Sequence, residues 1–295
     1  MTTRLSQSRT GSRGFTLVEL LVVITVIGIL VGMLAVAIIP ALQRGKEFAI
    51  QTEMKQIEQS IEQFRNDKGF YPPAFEGLTF DGFRRYVNRM APNNRETADG
   101  RLMPWWSAIG EELDKESSLV FWLSGTFENQ QYPITGGPSA GPVANIAAHN
   151  FGADVGQRKV YFDFQSGQLV GNDTDETVEN SSGAAVSTAP GIILEYKQEH
   201  GKSSGDLLFK YLDSTSYSAV GAYFDVGNDD YINPKTFQLV TFGLDGESGV
   251  PPASVGTNSV LGIDPSSSDL SPDGEDNLCN FANGRIRLWL IANGQ

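Results

Sequence analysis

From Leu20 to Ala41 the chain runs for 22 residues without a charged side chain. At about 1.5 Å of rise per residue, a helix of that length crosses a hydrocarbon core of about 30 Å. This run limits the fold more than any other feature, and it is read as a membrane-spanning helix. Arg4, Arg9 and Arg13 precede it with no acidic residue among them. The positive-inside rule then keeps the N-terminus in the cytoplasm and exports the acidic remainder. An ordinary secretory signal has a shorter apolar core that ends at a small-residue cleavage site, whereas this run passes directly into a polar helical pattern. Glu19 stands at its start. An ionised carboxylate at a bilayer centre costs about 2.5 to 3.5 kcal/mol and less near the interface, so its presence needs a reason. Glu19 can complement the positive end of the helix dipole, worth about 0.3 to 1 kcal/mol. It can also wait for a cation from elsewhere.

The residues around Glu19 favour the second reading. Arg13-Gly14-Phe15-Thr16-Leu17-Val18-Glu19 resembles the cleavage and methylation motif of type IV pilins and of the pseudopilins of type II secretion. The resemblance implies that a prepilin peptidase cuts after Gly14 on the cytoplasmic face, that Phe15 is then N-methylated, and that the apolar helix is kept in the product. It also implies that Glu19, the fifth residue of the processed chain, pairs with the terminal amine of a neighbouring subunit during assembly. At about 4 Å and an effective dielectric near 20, such a pair is worth about 4 kcal/mol before desolvation.

Beyond the apolar run, Ile50, Met54, Ile57, Ile61 and Phe64 recur at helical spacing, with Glu, Gln and Lys on the other faces. One helix is expected from Phe15 to Lys68, stopped by Gly69, Pro72 and Pro73. Pro40 lies inside it, where proline removes the bond to the Val36 carbonyl and kinks or loosens the helix. Pilins usually carry this proline one turn earlier, where this chain has Val36.

From residue 69 on, glycine, proline, serine and asparagine separate short apolar runs. A short helix is expected over Glu112–Leu123, and β-rich segments over Lys159–Phe164, Gly191–Tyr196, Leu207–Leu212 and Thr236–Phe242. Asn172–Pro190 reads as a polar surface loop. Trp105, Trp106 and Trp122 read as core side chains rather than an exposed binding patch. The expected class is α+β: a long N-terminal helix, transmembrane and then amphipathic, packed on a small antiparallel sheet with long loops, as in pilins. The parts are a cytoplasmic leader (1–14), the helix (15–68) and an exported globular domain (69–295).

Composition narrows the chemistry. A net charge of −13 over 295 residues argues against nucleic-acid binding through a basic surface. Cys279 is the only cysteine, and His149 and His200 are the only histidines, so intrachain disulfides, cysteine-rich zinc sites and histidine-rich metal sites are excluded. Nucleophile elbows, phosphate loops and His-Glu-x-x-His are missing, and the chain is not expected to be an enzyme.

Hard cations remain as ligands. FQLVTFGLDGESG, residues 237 to 249, and SPDGEDNLCNF, residues 271 to 281, form two acidic turns. They resemble the C-terminal calcium loop of the major pseudopilins, with Asp245 and Asp276 as first candidates and Asp273 and Glu275 in reserve. Ca²⁺ takes six to eight oxygen ligands, which facing turns can supply. The alternative is acidic turns that bind nothing.

The resemblance implies a structural subunit of a secretion pseudopilus in the bacterial inner membrane. Its partners would be further copies in a fibre, the peptidase, the inner-membrane assembly platform and lipid. The alternatives are a type IV pilin for adhesion, motility or uptake, and a membrane-tethered module that binds a surface ligand.

Overall fold

The computed structural model describes residues 15–107, 113–137, 158–171, 178–179, 185–186, 194–201, 207–217, 222–225, 230–246, 261–263, 277–282 and 284–286. Helix α1 covers Leu17–Lys68 and continues through Pro40. It ends where Gly69 adopts φ 80°, a left-handed conformation glycine takes without a Cβ penalty, while its N–H bonds to the Arg65 carbonyl at 2.7 Å. The chain divides into two compact units, Met1–Lys46 and Glu47–Gln295. In the first, the large apolar side chains from Leu17 to Leu42 are exposed, and the helix is long and apolar enough to cross a membrane. In the second, every residue of the expected stripe, Ile50, Met54, Ile57, Ile61 and Phe64, is buried.

The other helices are α2 (Phe80–Met90), α3 (Leu102–Trp105) and α4 (Ser118–Leu123). The strands are β1 (Leu169–Gly171), β2 (Val178–Glu179), β3 (Ala185–Val186), β4 (Leu194–Tyr196), β5 (Lys210–Asp213) and β6 (Tyr223–Asp225). They continue with β7 (Asp230–Tyr231), β8 (Phe237–Thr241), β9 (Leu261–Ile263), β10 (Leu278–Cys279) and β11 (Gly284–Arg285). The principal sheet is antiparallel, in the order β11-β10-β8-β5. β1-β4 and β2-β3 form antiparallel pairs, and β6 joins β7 antiparallel and β9 in parallel. The class is α+β, with a long N-terminal helix and small, mainly antiparallel sheets.

Four segments differ from expectation. The helix ending at Leu123 starts at Ser118 rather than Glu112. Asp114 instead opens a turn over residues 115–117 by accepting from the N–H groups of Glu116 and Ser117 at 3.1 and 2.9 Å. Lys159–Phe164 is not a strand. Its N–H groups at Tyr161 and Phe162 both reach the Leu123 carbonyl, at 2.9 and 3.2 Å, while Tyr161 and Phe164 enter the core. That crossing brings the Lys159 carbonyl within 2.2 Å of where a Cβ on Gly125 would sit, so residue 125 has to be glycine. β2 and β3 pair inside Asn172–Pro190, which the sequence analysis reads as loop. Finally, α2 has no counterpart in that analysis. Its signals are local: Thr79 caps it by accepting from the Gly82 N–H at 3.2 Å, and Phe83 and Val87, one turn apart, are buried.

All three tryptophans named above are core residues. Trp122 stacks on Phe75 at 5.7 Å and meets Phe121 edge-on at 4.8 Å, and Trp105 stacks on Phe83 at 5.0 Å. The stretch leaving α1 has no regular structure, yet its polar backbone is satisfied by side chains. The Pro72 carbonyl accepts from the Tyr211 hydroxyl at 2.7 Å and the Pro73 carbonyl from Trp122 Nε1 at 2.8 Å. The Ala74 N–H donates to Asp213 at 3.0 Å and that of Phe75 to Ser118 at 2.9 Å.

Candidate functional site

The site begins at the head of α1. Gly14 lies outside the described residues, and Phe15 is exposed. Thr16 and Glu19 form a reciprocal cap. The Glu19 N–H donates to Thr16 Oγ1 at 3.2 Å, while Glu19 Oε2 accepts from the Thr16 N–H at 2.9 Å and from its hydroxyl at 2.8 Å. This is a capping box, and the Thr-x-x-Glu spacing that announces it is plain at residues 16 to 19. The sequence analysis assigns Glu19 to the helix dipole or to a neighbour's amine and gives Thr16, which it names only as part of the motif, no role of its own. In the single chain, the helix start itself holds the carboxylate. A cation arriving from a second chain would therefore meet a carboxylate already aimed at the helix terminus.

The polar side of α1 beyond residue 46 is tied to the strands by carboxylates. Glu47 forms a two-pronged ion pair with Arg285 on β11, its Oε2 3.0 Å from Arg285 Nε. Glu53 Oε1 accepts from the Tyr196 hydroxyl at 2.6 Å and from Gln168 Nε2 at 2.7 Å. Burial raises the Glu53 pKa, against the lowering effect of those two donors. These contacts anchor α1 within its globular unit.

The second candidate site is only partly described. Asp245, half-buried, lies in the turn that follows β8. Gln198 Nε2 holds that turn by donating to the Gly243 carbonyl at 2.6 Å, and Gly246 at φ 70° lets the chain reverse. Asp273, Glu275 and Asp276 lie outside the described residues. Leu278 stands opposite Thr241, so Asn277 is at the end of the ladder from which the Asp245 turn leaves. Among the described residues, no three of His, Cys, Asp and Glu converge as a metal cluster.

Comparison with known proteins bears on the first site alone. Residues 9–35 match the family described as the prokaryotic N-terminal methylation motif. No curated protein and no solved structure matches the chain. The matched stretch covers Gly14, Phe15 and Glu19 and runs into the exposed apolar part of α1. Over residues 9–35 the chain is therefore similar to type IV pilins and pseudopilins, and it carries their prepilin cleavage and methylation motif at the head of its long helix.

Proposed function

We propose that the chain is a non-catalytic structural subunit of a type II secretion-like pseudopilus, cut after Gly14, methylated on Phe15 and assembled through α1. One observation carries this reading: the methylation motif, residues 9–35, runs into the start of a 52-residue helix whose first half is apolar and exposed. Exposed apolar surface of that extent is covered in lipid before assembly and by other copies of the helix afterwards. Arg4, Arg9 and Arg13 support an N-terminus on the cytoplasmic side and export of the acidic domain. The Gly-Leu-Asp-Gly turn after β8 supports a secretion pseudopilus over a pilus, because it is the part that resembles the major pseudopilins.

Glu19 provides the test. Glu19→Gln removes the charge but keeps an acceptor for the Thr16 cap, so membrane insertion should be unchanged or improved. Fibre yield should fall by at least about tenfold, since the amine of the incoming copy loses an interaction worth more than about 1.4 kcal/mol. Insertion is read from membrane fractions and assembly from sheared fibres. Normal fibre yield would remove Glu19 from the mechanism.

We also propose that the turn at Asp245 binds Ca²⁺ with oxygen donors from Asp273, Glu275 and Asp276. The position of Asn277 at the same end of the β8-β10 ladder supports this. A ligand that binds only the folded state adds about 2.7 kcal/mol at a hundred times its Kd. The melting temperature of the full chain in detergent should therefore rise by several degrees in calcium relative to chelator. Magnesium should have little effect, because it requires tighter octahedral geometry. An undiminished rise in Asp245→Ala would reject the site.

A further inference from the structure

Although the chain carries a net charge of −13, five of its 22 lysines and arginines, Arg84, Arg85, Arg89, Arg95 and Arg101, fall within 18 residues. α2 sets the direction of the first three. It buries Gly82, Phe83 and Val87, which leaves Arg84, Arg85 and Arg89 on its exposed face. Arg84 pairs with Asp81 at 2.9 Å, and Arg89 donates to the Gly69 carbonyl at 2.9 Å while lying over the Phe70 ring. Arg85 and the exposed Arg95 extend the positive surface. A row of guanidinium groups on an otherwise acidic molecule attracts anionic surface.

The complementary surface is on α1. Glu58 and Glu62, one turn apart, line an open cavity of about 520 Å³ together with Gln63, Asn66 and Asn280, and no lysine or arginine lines it. Glu58 is half-buried, and desolvation raises its pKa against the Asn280 hydrogen bond and Lys55, so an arriving cation would relieve an incompletely compensated carboxylate. Glu62 accepts from the Tyr71 hydroxyl at 2.8 Å and from Arg65 at 3.3 Å. Carboxylates and amide oxygens suit the flat, five-donor guanidinium group better than a compact ammonium.

We propose that the arginine face of α2 in one copy docks into the Glu58–Glu62 groove of a second copy. Two copies of so acidic a chain repel each other overall, so side-by-side association needs a local reversal of sign, which this pair of surfaces supplies. The two surfaces are different patches of one molecule. Their contact is heterologous and leaves a free patch at each end, the condition for an open fibre rather than a closed dimer. The inference rests on the assembly reading proposed above and adds a contact between globular domains to the one made by the helices.

The test mixes two charge-reversed forms of the full, processed chain in detergent. One carries Arg85→Glu with Arg89→Glu, and the other Glu58→Lys with Glu62→Lys. Each alone should need an about tenfold higher concentration to assemble. An equimolar mixture should recover to within about twofold of the parent, because each form then offers the other a complementary patch. High salt should weaken the parent and the mixture alike. Normal assembly by either form alone overturns the proposal and leaves the arginine face to a different anionic partner. Failure of the mixture to recover, with both forms folded by circular dichroism, also overturns it.

Where the lysine form does not fold, the second measurement is Arg85→Cys with Gln63→Cys, which keeps both carboxylates. Oxidation of assembled fibres should give a ladder of oligomers that neither single cysteine gives. Cys279 is buried and does not compete. Fibres without a ladder overturn the docking and leave the assembly reading in place, whereas a processed parent that never self-associates overturns both.

Discussion

Gly14→Leu should leave the whole population of chains uncut, with the first 14 residues retained and no fibres formed. In the prepilin motif the residue before the cut is small, and a branched side chain there blocks the peptidase. The consequence reaches further than a missed cut. Hydrolysis of the Gly14–Phe15 bond frees an amine at Phe15 and removes Arg4, Arg9 and Arg13 with the leader. That amine is the cation proposed to meet Glu19. An uncut chain has an uncharged peptide nitrogen at Phe15, so Glu19 of the neighbouring copy finds no partner there. Intact mass spectrometry and N-terminal sequencing read the first effect, and sheared-fibre yield the second. A Gly14→Leu chain that still begins at Phe15 would show that this motif is not the processing site.

Trp122→Ala should destabilise the globular unit by about 3 to 5 kcal/mol, a large share of the about 5 to 15 kcal/mol that holds a typical domain together. Trp122 is fully buried between Phe64 of α1, Phe75 and Phe83, with ring centroids 5.9, 5.7 and 6.1 Å away. Truncation opens a cavity among rings that cannot collapse into it. It also leaves the Pro73 carbonyl without its donor at 2.8 Å, a further loss of about 1 kcal/mol. The melting temperature of the full chain should fall by about 10 °C. Trp122→Phe, which keeps an aromatic ring but no N–H, should lose about half as much. A fall of less than about 3 °C for the alanine variant would mean that α1 is not held through this cluster.

These two results probe opposite kinds of information. The N-terminal motif is a string of adjacent residues, so Gly14, Phe15 and Glu19 can be read from it in one dimension. The stripe from Ile50 to Phe64 is nearly as direct, because a helix repeats every 3.6 residues and burial selects one face. All five of its positions are buried as expected. β8 was legible for a related reason: a short apolar run bounded by turn residues has few alternatives to a buried strand.

Lys159–Phe164 shows where that reasoning stops. Its aromatic and β-branched residues suit a strand, but a strand needs a neighbour at hydrogen-bonding distance, and the Leu123 carbonyl at the end of α4 takes up the Tyr161 and Phe162 N–H groups instead. The opposite failure occurs at α2, whose cap and two buried residues are local signals too brief to stand out until Phe75, Trp105 and Trp106 are seen to surround Phe83. By itself the sequence determined that this chain has a methylation motif at the head of a membrane-competent helix whose second half must be covered on one face, because motif and periodicity are both written in consecutive residues. Only the tertiary structure decided what covers that face, how side chains satisfy the irregular stretch after Gly69, and which polar residues of α1 meet the sheets. Those pairings join positions as far apart as Glu47 and Arg285, and their partners are set by long-range packing that no local pattern encodes.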